Sequence, residues 1–485
     1  MMISRMMLAA CIAMLCRDAS ADEPISIGTQ RELFVDRHLI DSMEGAQLVL
    51  HTPQDQGQVL AFDQPWEGLF SAYVTIIRDG DDLRAYYRGH ADDSGDGSPS
   101  EMTCLAVSKD GKNWSRPNLG LFKVKGTTDN NIVLANASPI THNFTPFLDK
   151  NPNCKPSEKY KAIGGHTDKT GIIAYVSPDG LKWSKLRDEP VFSDKGWVFD
   201  SQNLAFWSEA EQCYCLYYRR ASGSKRAVAR ATSNDFINWS KPEQMIFSNT
   251  GTGTPRNELY TNQTQPYFRA PHLYVATAAR FMKGRRVVSD AEAARLNVHP
   301  QYYNDTCDAI LMTSRGGKHY DCTFDQGFLR PGIGLQNWVS RTNYPALNIV
   351  QTSPTEMSLY VNQDYGQPTA HLHRYSMRLD GFSSVQSRLG EGILITKPIL
   401  FQGRKLSVNF ATSAAGFVRV DLLDANAKPI PGYSEQDSIE LIGNEIDRTV
   451  RWNKEVSDVS PLAGKPVRLR ISLSDADVFA FQFTD

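Results

Sequence analysis

Ser108-Lys-Asp-Gly-Lys-Asn-Trp114 returns four times along the chain in altered form. Ser177-Pro-Asp-Gly-Leu-Lys-Trp183 and Ser233-Asn-Asp-Phe-Ile-Asn-Trp239 keep its Ser-x-Asp-x-x-x-aromatic frame. Ser314-Arg-Gly-Gly-Lys-His-Tyr320 lacks the Asp, and Ser376-Met-Arg-Leu-Asp-Gly-Phe382 carries it two places later. Each copy follows a strand-like run, such as Cys104 to Val107 or Ile172 to Val176. The Asp-Gly pair suits a tight turn, after which the aromatic packs back between neighbouring sheets. Consecutive aromatics lie 69, 56, 81 and 62 residues apart, room for one four-stranded blade each. A fixed motif repeating at blade length predicts a β-propeller, and five copies predict five blades.

The 485-residue chain is long enough for such a domain and a smaller one. A hydrophobic content of 41% supports a sizeable core, and a net charge of -2 gives no electrostatic case for nucleic acid or an anionic membrane. Residues 1–21 read as a secretory signal: Arg5, an apolar run from Met6 to Cys16, and Ala19-Ser20-Ala21 as the cleavage site. A secreted or periplasmic protein beginning at Asp22 is therefore expected. No later run is long and apolar enough to span a bilayer as a helix. Six of the eight cysteines follow the signal, and Cys307 with Cys322 is the pair placed to close across one blade.

The propeller is assigned to residues 22–385, with Leu33 to Ile40 as an N-terminal strand that completes blade five and leaves no free edge. Ser289-Asp-Ala-Glu292 is a capping-box pattern opening a short helix inside blade four. From 386 to 485 the repeat gives way to alternating strands such as Leu406 to Phe410 and Val467 to Leu473, expected as a C-terminal β-sandwich.

Propeller topology puts the Ser-x-Asp turns on one face. The starts of the inner strands and the ends of the second strands gather around the axis on the other, and such convergence is what a site requires. Inner-strand starts supply Trp66, Glu67, His142, Asn143, Asp200, Asn203, Glu258, Tyr260, Asn262 and Tyr344. Second-strand ends supply Arg88, His90, His166, Arg219 and Arg280. Glu258, Asp200 and Glu67 are the candidate catalytic carboxylates, because glycoside hydrolysis uses one carboxyl as acid and another as base or nucleophile. Trp66, Tyr260 and Tyr344 offer ring faces to a sugar. Arg88, Arg219 and Arg280 point to an anionic sugar, and His142, Asn143, Asn203 and Asn262 to further substrate contacts. The histidines show no metal-ligand spacing, so no metal or cofactor is expected from them. Glycine-rich phosphate loops, Gly-x-Ser-x-Gly elbows and His-Glu-x-x-His patterns are all missing.

The repeated turns, the run Leu83-Arg-Ala-Tyr-Tyr-Arg88 and Phe199-Asp-Ser-Gln-Asn203 resemble the five-bladed β-propeller glycoside hydrolases. That superfamily holds families 32 and 43, and the likeness covers residues 30–385. It implies a glycosidase with Glu258 as acid and Asp200 as base or pKa-tuning residue, and leaves open a structural Ca²⁺ such as some related propellers carry near the axis. Blade one departs by offering Glu67 where those families have Asp, and blade two by offering Asn143 where an acid stands. The chain thus resembles a divergent member. The expected function is a secreted glycoside hydrolase on poly- or oligosaccharides. A non-catalytic carbohydrate-binding propeller and a protein-interaction scaffold are the alternatives.

Overall fold

The computed structural model describes residues 23–92, 97–453 and 456–485; the expected signal over 1–21 lies outside them. Five antiparallel sheets form the propeller. Blade one runs Ala72–Asp79, Asp82–His90, Glu101–Ser108 and Ile132–Leu134 from the axis outward. Blade two runs Thr145–Leu148, Tyr160–Gly164, Ile173–Ser177 and Ser184–Lys185. Blade three runs Leu204–Ser208, Cys213–Ser222, Lys225–Ser233 and Glu243–Gln244. In blade four a broken inner strand, Glu258–Leu259 and Thr264–Tyr267, pairs with Ala270–Met282, which pairs with Thr306–Ser314. Blade five has Tyr344–Pro345 and Val350–Gln351 inside, then Glu356–Gln363 and His371–Arg378.

The turn motif is built the same way in three blades. Ser108 Oγ accepts the Gly111 N–H at 2.9 Å while Asp110 Oδ1 accepts those of Lys112 and Asn113, each at 2.8 Å. Ser177 with Asp179 and Ser233 with Asp235 repeat every one of these bonds. The position after the Asp takes φ of +72° at Gly111 and +74° at Gly180, a region glycine enters without strain. Two N–H bonds to one carboxylate, from Asn113 first and then Lys112, hold Asp110 well below the usual carboxylate range.

The strand that closes the ring differs from the expected one. Gln54–Ala61, not Leu33 to Ile40, is the outer strand of blade five, with Leu372 opposite Leu60. Its burial suits an edge: Gln54, Asp55, Gln56 and Gln58 are exposed and Leu60 is buried. Residues 31–36 are buried without alternation, which suits a seam between two layers. Accordingly Ile25–Gly28, Arg31–Leu33, Ile40–Glu44 and Gln47–Leu50 all belong to the sheet of the C-terminal domain. That domain holds one ten-stranded sheet dominated by Lys405–Asp424 paired along Val467–Thr484. Alternate residues of both strands, among them Val408, Val420, Leu469 and Ile471, meet Trp452 in one apolar core.

Within that core's sheet, Asp421 is fully buried against Arg470 at 2.8 Å. Burial outweighs the arginine and pushes its carboxyl up to about 6. A raised folded-state pKa contributes stability below the unfolded value of 3.8, and that contribution is lost as pH rises through about 6. Because Arg470 keeps Glu435 at 2.8 Å, Asp421→Asn is expected to stabilise the protein by about 2 kcal/mol at pH 8 and by little at pH 4. Urea denaturation at both pH values measures this; an equal effect at the two would contradict it.

The six cysteines from Cys104 to Cys322 are all free, so Cys307 and Cys322 do not pair. Cys307 packs into an apolar cluster with Tyr260 and Tyr344, whereas Cys322 packs into another with Tyr320 and Met312. The expected helix is present as α1, Asp290–Arg295, with both bonds of the Ser289/Glu292 capping box formed. Among the described residues no helix is long and apolar enough to cross a membrane.

Candidate functional site

The inner strands are interrupted where they reach the axial mouth. In blade three Val198 bridges Arg220 and Leu204 pairs with Tyr217, so residues 199–203 oppose only two residues and bulge toward the axis. Phe199 takes φ of +66° in this bulge, and Tyr73 takes +54° in the corresponding bulge of blade one. Bulky residues hold left-handed backbone only when their surroundings impose it, and such strain gathers at working sites. Asn143 and Asn203 impose it here: both Nδ2 groups donate to the Phe199 and Ser201 carbonyls, and Asn203 Oδ1 accepts the Arg219 N–H. Beneath the bulges Gln263 Nε2 donates to Gln202 Oε1 and the Pro345 carbonyl, each at 2.7 Å, and Gln202 Nε2 donates to Thr75 Oγ1. This network ties blades one, three, four and five together behind the bulges.

The bulge presents Asp200, whose side chain stays 36% exposed and so reaches solvent. Its Oδ2 accepts from Arg219 Nη2 at 2.5 Å, while Oδ1 faces His166 Nε2 at 3.3 Å and His142 Nε2 at 3.9 Å. Burial alone would push this carboxyl up; His166 and Arg219 outweigh it and hold Asp200 well below the usual range. Asp200 is thus a fixed negative charge rather than a strong proton acceptor.

A second buried layer sets His142. Glu101 oxygens lie 3.0 and 3.1 Å from His142 Nδ1, and Arg88 Nη1 lies 3.4 Å from Glu101 Oε1. Arg88 also donates to the Phe70 carbonyl and to Tyr365 Oη, with its guanidinium over the Tyr73 ring. Burial pushes Glu101 up, but Arg88 and then His142 outweigh it and hold it low. On the other flank Arg226 Nη1 donates to Glu258 Oε2 at 2.6 Å. The guanidiniums of Arg219 and Arg226 both lie against the rings of Trp197 and Tyr260, at 4.8 to 5.5 Å. Trp197 is 42% exposed and offers its ring at the rim. The insertion carrying α1 lines the opposite wall, where Tyr302 meets Phe70 and Tyr365 edge-on.

The structure therefore brings together Asp200, Arg219, His142, Arg88, Tyr260 and Glu258 around one mouth, and separates other expected members from it. Glu67 is corrected to a structural acid: it is 2% exposed, accepts from Tyr87 Oη at 2.5 Å and pairs with Arg116 at 2.8 Å. Trp66 is buried in the core of blade one and donates to Asn131. Asn143 and Asn203 are buried and spend their amides on the bulge, and Asn262 caps the Thr264 N–H. Tyr344 is a buried wall residue against Tyr260, with ring centroids 5.1 Å apart. Arg280 turns to Asp308 and the Asp325 carbonyl. Arg88, Arg219 and Arg280 each hold a carboxylate, which removes the charge argument for an anionic sugar.

Trp197, Glu101 and Arg226 escape the sequence reading. The signal for two of them lay in the topology, since third-strand starts occupy the same face as second-strand ends. Glu101 opens Glu101–Ser108, and Arg226 stands second in Lys225–Ser233. An apolar cavity of about 240 Å³ lies away from the mouth, between Ile76, Phe147, Phe206 and Ile349. It holds none of the site's ionisable groups.

No protein-family model matches the sequence, and no curated protein matches it significantly. Solved structures of similar outline include a glycoside hydrolase, 12% identical over 67% of this chain and 92% of that one, with a TM-score of 0.46. An N-acetylgalactosamine deacetylase from F. plautii in complex with blood group B trisaccharide is 12% identical, over 70% and 97% of the two chains, with a TM-score of 0.44. A fructofuranosidase from Schwanniomyces occidentalis is 10% identical, over 89% and 98%, with a TM-score of 0.39. At these scores the propeller assignment rests on the strand pairing described above.

Proposed function

We propose that this protein is an exported glycosidase-like propeller that hydrolyses a poly- or oligosaccharide at the axial mouth. One observation carries the reading: Asp200 stands on a strained bulge as a solvent-reaching ionised carboxylate, braced from behind by buried Arg219 and flanked by the exposed ring of Trp197. A fixed negative charge beside a flat apolar platform suits a sugar ring whose anomeric carbon becomes positive in the transition state. Asp200 is the group that faces that carbon, as nucleophile or as the charge that stabilises it. Glu258, reached across the same Trp197 and Tyr260 rings, is the second carboxyl. It becomes available to the leaving group when substrate displaces Arg226. Because the arginines of the mouth are already paired, the favoured substrate is a neutral sugar.

Reducing-sugar release from neutral, uronate and sulfated polysaccharides tests this. Release from a neutral substrate is the expected result. Glycan retained on an affinity gel with no release would make the propeller a binding module, and neither retention nor release would leave an interaction scaffold.

A further inference from the structure

We propose that His142 Nε2, His166 Nε2 and Asp200 Oδ1 form a binding site for a first-row divalent metal ion of the zinc class. One ligand atom from each of the three residues lies within 4.8 Å of the other two. Two donors bound at about 2.1 Å with a tetrahedral angle stand about 3.4 Å apart. His166 Nε2 and Asp200 Oδ1 are already at 3.3 Å, and His142 Nε2 needs to close by about half an ångström from 3.9 Å.

The surroundings are those of a metal site rather than of a loose ion pair. Glu101 Oε2, 3.0 Å from His142 Nδ1, only accepts and so favours the tautomer whose Nε2 lone pair faces Asp200 and His166, while Arg88 Nη1 stands 3.2 Å from the same Nδ1. This carboxylate–histidine arrangement fixes tautomer and ring orientation, as outer-sphere partners of metal-bound histidines do. Arg88, which only donates, in turn holds Glu101. Arg219 takes Oδ2 of Asp200 and leaves Oδ1 to the ion. Both Asp200 and His166 are part-exposed, at 36% and 29%, so the remaining coordination positions open on solvent. An ion with three protein ligands and open positions is of the water-activating rather than the closed structural kind. Two imidazoles in three ligands select against Ca²⁺, which takes oxygen ligands.

The inference shares its site with the proposed hydrolase but is measured without any sugar, so either can fail alone. Protein stripped with a chelator is titrated with Zn²⁺ by calorimetry and with Co²⁺ by its visible spectrum. One equivalent binding below about 1 µM is expected, with Co²⁺ bands of a nitrogen–oxygen site. His166→Ala, at a part-exposed position that keeps the fold, weakens binding at least 100-fold. Glu101→Gln weakens it by about 10- to 100-fold through His142. Absence of a stoichiometric equivalent, or affinity unchanged in folded His166→Ala, would overturn the proposal.

Discussion

Asp200→Asn is expected to lower kcat by about 10³-fold while leaving the unfolding transition close to that of the parent protein. The amide is isosteric and its oxygen still accepts from Arg219 Nη2, so the bulge keeps its brace. What disappears is the negative charge that both imidazoles and the guanidinium hold in place. Loss confined to turnover identifies an interaction strengthened in the transition state, whereas a rise in KM alone would mark ordinary substrate contact. Activity within about tenfold of the parent would remove Asp200 from the chemistry. Metal saturation during the assay separates the two roles proposed for this residue: if the charge serves only to hold an ion, excess Zn²⁺ restores part of the rate.

The repeat that reveals the propeller is legible because three of its turns have only one task. In blades one to three the Ser hydroxyl donates to the Asp carboxylate and both side chains accept N–H groups of their own turn, so the motif is intact. The two degraded copies belong to the blades that carry the second domain. Where blade four loses its Asp, Arg315 reaches out to Glu32 at 2.9 Å and Asp36 at 3.0 Å. Where blade five shifts its Asp, Asp380 is fully buried and accepts from Arg31, Tyr267 and Asn409. Turn chemistry has been exchanged for docking chemistry, and the same exchange explains why the N-terminal strands were assigned to the wrong layer. Leu33 and Val35 join Ala480 and the outer side of blades four and five in one apolar cluster. A short apolar run does not say which of two sheets it lies between.

The site was legible to the extent that topology alone places residues. Inner-strand starts and second-strand ends do converge, and Asp200, Arg219, His142 and Arg88 are where that rule puts them. Bulges are what the rule omits. A strand that runs straight into the mouth alternates its side chains between faces, but residues 200–203 and 262–263 leave the ladder, and whether a side chain enters the mouth or the wall depends on that departure. Asn143, Asn203 and Asn262 look like substrate ligands in a linear sequence. They are the hydrogen-bonding scaffold that makes the departure possible.

Glu67 gives the second large effect, and of a different kind. Glu67→Gln is expected to destabilise the protein by about 3 kcal/mol without changing kcat per folded molecule. The carboxylate lies with 0% of its side chain exposed, between the Tyr87 hydroxyl and two guanidinium N–H groups of Arg116, and also accepts the Gln64 N–H at 3.1 Å. Acceptors on both oxygens are needed to satisfy these donors, and an amide supplies one oxygen and adds two donors of its own. Arg116 is only 21% exposed and its other carboxylate, Asp63 at 3.4 Å, is a solvent-exposed partner, so its charge would lose its buried counterpart, which is the costly way to break a buried pair. Arg116→Met in the same background removes the orphaned cation and is expected to return part of the loss, the signature of a coupled pair in a double-mutant cycle. Urea denaturation of the four proteins, with activity measured at fixed folded concentration, checks both halves of the claim. Stability unchanged in Glu67→Gln together with lost turnover would return this residue to the catalytic set. The expected pattern leaves Asp200 as the carboxylate whose removal affects chemistry and Glu67 as the one whose removal affects the fold.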